Sequence, residues 1–176
     1  LVDRYQRAAR ALARVASDRL EGVPTHRLHG DLHAGNLIVR DGVLHVLDFD
    51  DMVDGPAVQD LWLLLPGRDA ETRRRRGHFI EGYERFRGFD RSTLALIEPL
   101  RAMRYVHYAA WLARRWHDPI FPVTWPHFGT ETYWQGLTED LEDVLEHLDE
   151  QPTPQAQVDL GEGRDNRDYF WDMEPS

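Results

Sequence analysis

The sequence contains no cysteine and no lysine, so all 21 of its basic residues are arginines. Without cysteine there is no disulfide framework, no thiolate metal site and no thiol nucleophile. No apolar run approaches the roughly 18 residues that a membrane helix needs, and no signal-peptide pattern opens the chain. These absences predict a cytoplasmic protein that has no membrane partner.

The charge of the chain is mainly of one sign. The formal net charge is −10, and residues 149–176 contribute −6 of it through eight acidic residues and two arginines. This balance argues against broad nucleic-acid binding. Residues 151–176 are also rich in Pro, Gln and Gly, which predicts an acidic, flexible tail. Residues 1–150 are expected to form one globular unit, and we expect a monomer.

Three side chains suited to phosphate chemistry lie between residues 29 and 51. Asp31 belongs to a His-Gly-Asp sequence, Asn36 follows five positions later, and Asp48 opens Asp-Phe-Asp-Asp. Two carboxylates and an amide oxygen are hard ligands, which suit Mg²⁺ and phosphate better than zinc. The pattern therefore predicts a site for magnesium and a nucleotide.

A predicted β-hairpin connects Asn36 to Asp48. Residues 37–40 and 43–47 are β-rich and flank Asp41-Gly42, and a type I′ turn needs positive φ at both of its central residues. This turn would pair Asn36 with Leu47, one position before Asp48. Strict alternation would point Asn36 and Asp48 to opposite faces, so we expect irregular backbone at one end of the hairpin.

An alternative interpretation is a hydrolase metal cluster of the H-x-D-x-H type, formed by His29, Asp31 and His33. Asn36, the hairpin and the second acidic cluster favour magnesium and nucleotide instead. We expect His29 and His33 to be structural residues that fix the loop. Asp50 and Asp51 follow Asp48 closely, but the pattern does not establish either as a direct ligand.

Protein kinases use a similar set of residues, with an Asp that accepts the hydroxyl proton, an Asn five positions later, and the Asp of Asp-Phe-Gly. His-Gly-Asp and Asp-Phe-Asp resemble the versions found in the aminoglycoside phosphotransferase and choline kinase superfamily. Segments 55–62, 97–104 and 110–119 are similar to the stress response kinase A (YihE-type) family of serine/threonine protein kinases. The resemblance covers roughly residues 20 to 148.

The resemblance implies an α+β, mainly α fold: the large C-terminal lobe of a protein-kinase-like enzyme, with the metal site on its β-hairpin. It implies Asp31 as the catalytic base, with Asn36 and Asp48 binding Mg²⁺ and ATP, and Asp48 also counted as catalytic. The acceptor would be a protein Ser/Thr hydroxyl, or alternatively a small alcohol such as an aminoglycoside, homoserine or choline. Asp60 would hydrogen-bond the catalytic loop from below and orient Asp31.

A kinase also needs a lysine that pairs with the nucleotide phosphates and usually a Gly-rich loop above them. Neither is present, and the chain begins with Leu1. We therefore expect the small N-terminal lobe to be absent from this chain. The isolated chain is either a partner of that lobe or a catalytically silent scaffold.

Helical periodicity predicts further elements outside the hairpin. Apolar residues recur at helical spacing over residues 3–20, 69–87, 93–117 and 131–148. The second of these helices contains the four-arginine run 73–76, which predicts a solvated face more than a phosphate site. Arg101 and three other arginines of the third helix could border the acceptor site, and Pro99 could bend that helix. Loop 118–130 either closes one wall of the substrate cleft or ties two helices together.

Overall fold

The computed structural model describes residues 1–148, and the predicted tail 151–176 lies outside the described residues. The described elements are α1 (Val2–Leu20), β1 (His26–Leu28), β2 (Leu37–Arg40), β3 (Val43–Val46), β4 (Val53–Gly55), α2 (Val58–Leu64), α3 (Ala70–Tyr83), α4 (Ile97–Arg114), α5 (Phe121–Thr124) and α6 (Glu131–His147). Short 3₁₀ turns cover Ala34–Asn36 and Arg91–Leu96. The α+β, mainly helical class is confirmed.

The chain divides into two compact units. The helical unit comprises residues 1–23 together with the stretch from 95 to 148, and the site unit comprises Pro24–Leu94. The predicted site residues all fall in the site unit. The prediction that residues 1–150 form one lobe stays a prediction.

The helical unit is built on three long helices that pack against one another. Helix α1 buries Ala8, Leu12 and Ala16 on one stripe, as its 3.6-residue periodicity predicts. Helix α6 begins at a Thr130 cap, whose hydroxyl accepts a hydrogen bond from the Tyr133 N–H. These contacts give the unit a helix-on-helix core, as expected for three amphipathic helices.

An aromatic cluster fills one end of the helical unit. Its buried members are Leu112, Phe121 and Phe128, and five further aromatic side chains pack around them: Tyr108, Trp111, Trp125, Tyr133 and Trp134. Loop 118–130 supplies part of this cluster, so the structure places it where it ties α4 to α6. A role for it as a wall of a substrate cleft stays a prediction.

The site unit holds two small antiparallel sheets. Strand β1 pairs with β4, so that Arg27 lies opposite Asp54, and β2 pairs with β3. Helix α2 buries Val58, Leu61 and Trp62, which are all at most 3% exposed. The β1–β4 pair thus holds together the two ends of the segment that carries the candidate site.

The β2–β3 hairpin has the predicted register. Val39 lies opposite Leu44 and Arg40 opposite Val43, as a two-residue turn at 41–42 requires. Both turn residues have positive φ, 52° at Asp41 and 76° at Gly42, which is the type I′ conformation. None of the helices in residues 1–148 is long and apolar enough to span a bilayer.

Candidate active site

Asp60 anchors the His-Gly-Asp loop from α2. Its two carboxylate oxygens accept hydrogen bonds from the backbone N–H groups of His29, at 2.9 Å, and Gly30, at 3.0 Å. Asp60 lies in the first turn of α2, where the helix dipole also favours a negative charge. The bonds predicted from Asp60 to the loop backbone are confirmed, while its effect on Asp31 stays a prediction.

His29 connects the loop to the hairpin. The ring is 8% exposed, and its Nε2 lies 2.7 Å from the carbonyl oxygen of Leu47. Nδ1 accepts a hydrogen bond from the Asp31 N–H at 3.3 Å, which places the ring proton on Nε2. The ring also packs on Phe49, with 5.0 Å between centroids. Both ring nitrogens are therefore engaged, and the expectation of a structural role is confirmed.

Gly30 is where the loop requires glycine. Its φ is 86°, and a Cβ at this position would collide with the backbone carbonyl of Asp51. The loop and the segment after Asp48 thus approach each other backbone to backbone, which only a residue without a side chain permits.

Asn36 is held between the loop and the hairpin. Its side chain is buried, and Nδ2 donates to the carbonyl oxygen of Asp31 at 3.0 Å. The Asn36 carbonyl accepts from the Leu47 N–H at 2.9 Å, so Asn36 and Leu47 pair as predicted. Within residues 1–148 no donor hydrogen-bonds to the Asn36 Oδ1. A buried amide with its nitrogen fixed and its oxygen unpartnered has the donor chemistry that a hard cation needs.

Asp48 follows the hairpin with a change of backbone conformation. Its φ is 60°, in the left-handed region, and its side chain is exposed. This is the irregular backbone that the sequence predicts at one end of the hairpin. Leu47, the residue before Asp48, bonds through its N–H to the Asn36 carbonyl and through its own carbonyl oxygen to His29. The end of the hairpin therefore contacts the loop. Ligand roles for Asn36, Asp48, Asp50 and Asp51 stay predictions.

The alternative hydrolase cluster does not form. In the part of the chain that the structure describes, no three His, Asp or Glu side chains are arranged to hold a metal ion. His29 has both ring nitrogens occupied by backbone partners. The pair Asn36 and Asp48 is different, because magnesium commonly takes one or two protein ligands and completes its shell with phosphate oxygens and water.

The four-arginine run has mixed roles. Arg74 and Arg75 form exposed ion pairs with Glu71, in agreement with a solvated face. Arg76 donates to the carbonyl oxygens of Leu65 and Gly67, so it caps the chain that leaves α2. The expectation of a wholly solvated face was therefore wrong for Arg76.

Arg101 is buried beside a carboxylate of its own helix. It is 3% exposed and its Nε lies 3.1 Å from a carboxylate oxygen of Glu98, one turn earlier on α4. The guanidinium is thus buried with a counter-ion from its own helix, and a place for Arg101 beside the acceptor site stays a prediction.

The hairpin exposes apolar side chains on both faces. Val39 and Leu44 on one face are 72% and 57% exposed, and Ile38 and Val43 on the other are 48% and 56% exposed. An isolated two-stranded ribbon is marginally stable, and exposed apolar side chains on both of its faces are typical of an element that packs against another one. We call this surface the apolar ribbon.

Comparison with known proteins identifies the family. The family model described as "APH: Phosphotransferase enzyme family" matches residues 1–97, more than half of the chain. The chain belongs to the phosphotransferase enzyme family. The match includes the His-Gly-Asp loop, the hairpin and α2. These elements contain the hydrogen bonds described above for Asp60, His29 and Asn36.

Curated relatives agree with this membership of the phosphotransferase family. The chain is 52% identical over 128 residues to "Stress response kinase A" of Salmonella paratyphi A, which covers 73% of this chain and 39% of the relative. It is 49% identical over 141 residues to "Stress response kinase A" of Escherichia coli K12, covering 80% and 43%. A relative in Salmonella typhimurium, 52% identical, is named "Serine/threonine protein kinase RdoA". The resemblance indicated by sequence is confirmed, and the chain spans about two-fifths of the length of these relatives.

Proposed function

We propose that the protein containing this chain transfers the γ-phosphoryl group of ATP to a hydroxyl, with serine and threonine side chains of proteins as acceptors. The observation that carries the proposal is the network in which Asp60 and His29 hold the Asp31 loop against the hairpin end that bears Asn36 and Asp48. The choice of acceptor rests on the names of the relatives.

Asp31 is the proposed general base. Its carboxylate accepts the proton of the acceptor hydroxyl as the hydroxyl oxygen forms its bond to the γ-phosphorus and the bond from that phosphorus to the β–γ bridging oxygen breaks. Asn36 Oδ1 and the Asp48 carboxylate are the proposed ligands of Mg²⁺. The cation, when bound, would neutralise charge on the phosphates. The buried Asn36 amide, fixed through Nδ2, supports this assignment.

The nucleotide-clamping lobe is the proposed partner of the apolar ribbon. The chain has no lysine to pair with phosphates, and the ribbon exposes Ile38, Val39, Val43 and Leu44 beside the candidate site. A second lobe packed there would cover the ribbon and supply the missing phosphate contacts. We propose that the assembled enzyme is monomeric and cytoplasmic.

The test is phosphorylation by the full-length protein with radiolabelled ATP. The acceptor panel contains Ser/Thr peptides, an aminoglycoside, homoserine and choline. We expect labelled peptide, and we expect Asp31→Ala to lower kcat by about three orders of magnitude or more while ATP affinity stays nearly unchanged. Asp18→Ala, at an exposed position on α1, is the matched control. Undiminished turnover by Asp31→Ala would exclude its role as base, and labelling of a small alcohol alone would favour the small-molecule kinase.

The absence of lysine supports a second candidate for the isolated chain, a catalytically silent scaffold. Calorimetric titration with ATP, with and without Mg²⁺, separates the two. We expect no micromolar binding by the chain alone and recovery of activity when the rest of the protein is added. Micromolar binding or turnover by the chain alone would exclude the silent state.

A further inference from the structure

We propose that His33 is a positioning residue for Asp31: its ring Nε2 lies beside one oxygen of the carboxylate and fixes the orientation of the proposed base. The inference rests on the proposed role of Asp31 as base. It gives His33 a role beyond fixing the loop.

The protonated nitrogen of His33 follows from its hydrogen bond at the start of the 3₁₀ turn. Nδ1 accepts from the backbone N–H of Gly35 at 3.0 Å, as the N-terminal cap of Ala34–Asn36. An accepting Nδ1 carries no proton, so in the neutral ring the proton is on Nε2.

The Nε2 of His33 lies close to the carboxylate of the proposed base. It lies 3.5 Å from the Asp31 Oδ2, and the two side chains are 21% and 16% exposed. The backbone repeats the connection, because the His33 N–H donates to the Asp31 carbonyl at 3.0 Å. A long contact of this kind commonly shortens when substrate binds, and partial burial strengthens it.

Gly35 makes the ring position possible. A Cβ on Gly35 would lie 2.7 Å from Cε1 and 2.9 Å from Nδ1 of His33. The backbone of Gly35 does not have positive φ, so glycine is required here for space and not for conformation. Gly35 therefore lets the imidazole lie over the turn with Nε2 facing Asp31.

Two substitutions separate the cap from the contact with Asp31. In His33→Asn the side-chain oxygen takes the place of Nδ1 and keeps the cap, but nothing reaches Asp31. In His33→Gln the amide nitrogen takes the place of Nε2 and keeps the donor to Asp31, but the cap is lost. A positioning role and a purely structural role therefore predict opposite orders of activity.

The kinetic experiment uses the full-length protein. We expect His33→Asn to lower kcat about 10- to 100-fold with KM for ATP unchanged, since small displacements of a reacting group have effects of this size. His33→Gln should keep kcat within about 5-fold while lowering Tm. His78→Asn, at an exposed position on α3, is the control. If His33→Gln is as impaired as His33→Asn, or more so, the proposal is overturned.

A second measurement on this chain alone keeps the inference separate from the proposed activity. Long-range ¹H–¹⁵N NMR near pH 8 reports which ring nitrogen carries the proton. We expect the Nε2–H form for His33, and an altered Nε2 shift in Asp31→Ala but not in Asp18→Ala, at an exposed position on α1. A protonated Nδ1, or no response to Asp31→Ala, overturns the proposal. An inactive full-length protein whose NMR behaves as expected would instead refute the proposed kinase function.

Discussion

The two hydrogen bonds from Asp60 to the loop make a strong prediction about stability. Asp60→Ala removes the shared acceptor of the His29 and Gly30 N–H groups, which lie 2.9 and 3.0 Å from its oxygens. No other acceptor among residues 1–148 bonds to these two N–H groups. The substitution therefore leaves two partly buried donors without a protein partner, and water can replace the carboxylate only in part.

The magnitude follows from the charge on Asp60. A hydrogen bond to a charged group contributes about 1.5–3 kcal/mol to the free energy of unfolding, so the loss of two such bonds lowers that free energy by about 3–6 kcal/mol. Partial exposure favours the lower end, about 3 kcal/mol. For a chain of this size about 3 kcal/mol corresponds to a decrease in Tm of about 6–12 °C. Asp60→Asn keeps one acceptor, and we expect about half of this loss.

The assay is urea and thermal unfolding followed by circular dichroism, with amide hydrogen exchange at His29 and Gly30. The matched control is Asp54→Ala, because Asp54 pairs with Arg27 at 3.3 Å but both side chains are more than half exposed. Such a pair contributes at most about 1 kcal/mol. If Asp60→Ala and Asp54→Ala lose equal stability, or if the two wild-type amides exchange freely, the anchoring role of Asp60 is refuted.

Three further substitutions test local features, each by unfolding measurements against wild type. Gly42→Ala should destabilise the protein by about 1 kcal/mol because φ at Gly42 is 76°. Gly77→Ala in α3 should stabilise it by about 0.5–1 kcal/mol, since no neighbour lies within 4 Å of the added methyl group. Stability changes of the same sign in the two variants would contradict this reasoning. Hydrogen bonds from the hydroxyl and backbone of Thr72 lower the pKa of Asp69, the cap of α3. The cap therefore stabilises the protein fully above the pKa that Asp69 has in the unfolded chain. This stabilisation is lost as the pH falls through the lower pKa that Asp69 has in the folded protein. Asp69→Ala should lower the free energy of unfolding by about 1 kcal/mol at pH 7, and its difference from wild type should narrow below about pH 4. A difference in stability that does not change with pH would contradict the capping role.

The hairpin and the long helices were predictable because local rules determine them. The positive φ demanded at Asp41 and Gly42 fixes the turn, and the turn fixes the register as far as Asn36. Helix α1 was predictable from a stripe of small and apolar residues at 3.6-residue spacing. The Asp60 bonds were predicted from family resemblance alone.

Long-range strand pairing and the ends of helices were harder to predict from the sequence. The pairing of β1 with β4 joins residues 25 to 29 positions apart, and no local pattern specifies such a partner. Helix α3 was expected to extend to residue 87, but it ends at Tyr83, and Phe86 beyond it is 93% exposed. Pro99 was considered as a bend, yet it lies in the first turn of α4, where the missing N–H costs no helical bond.

Charge alone also misled the assignment of arginines. Arg101 looked like a surface cation but is buried against Glu98, and Arg76 binds backbone carbonyl groups. Sequence shows the charge of a side chain but not which carbonyl or carboxylate the fold places beside it. The His33–Asp31 contact was missed for a related reason, since the space above Gly35 becomes evident only with the turn in place.

The central claim is that Asn36 and Asp48 hold the magnesium that accompanies ATP. Calorimetric titration of the full-length protein with ATP, with and without Mg²⁺, tests it most directly. We expect Mg²⁺ to tighten binding in wild type and in Asp18→Ala, and to have no such effect in Asp48→Ala. Magnesium-dependent binding that is the same in Asp48→Ala as in wild type would contradict the account.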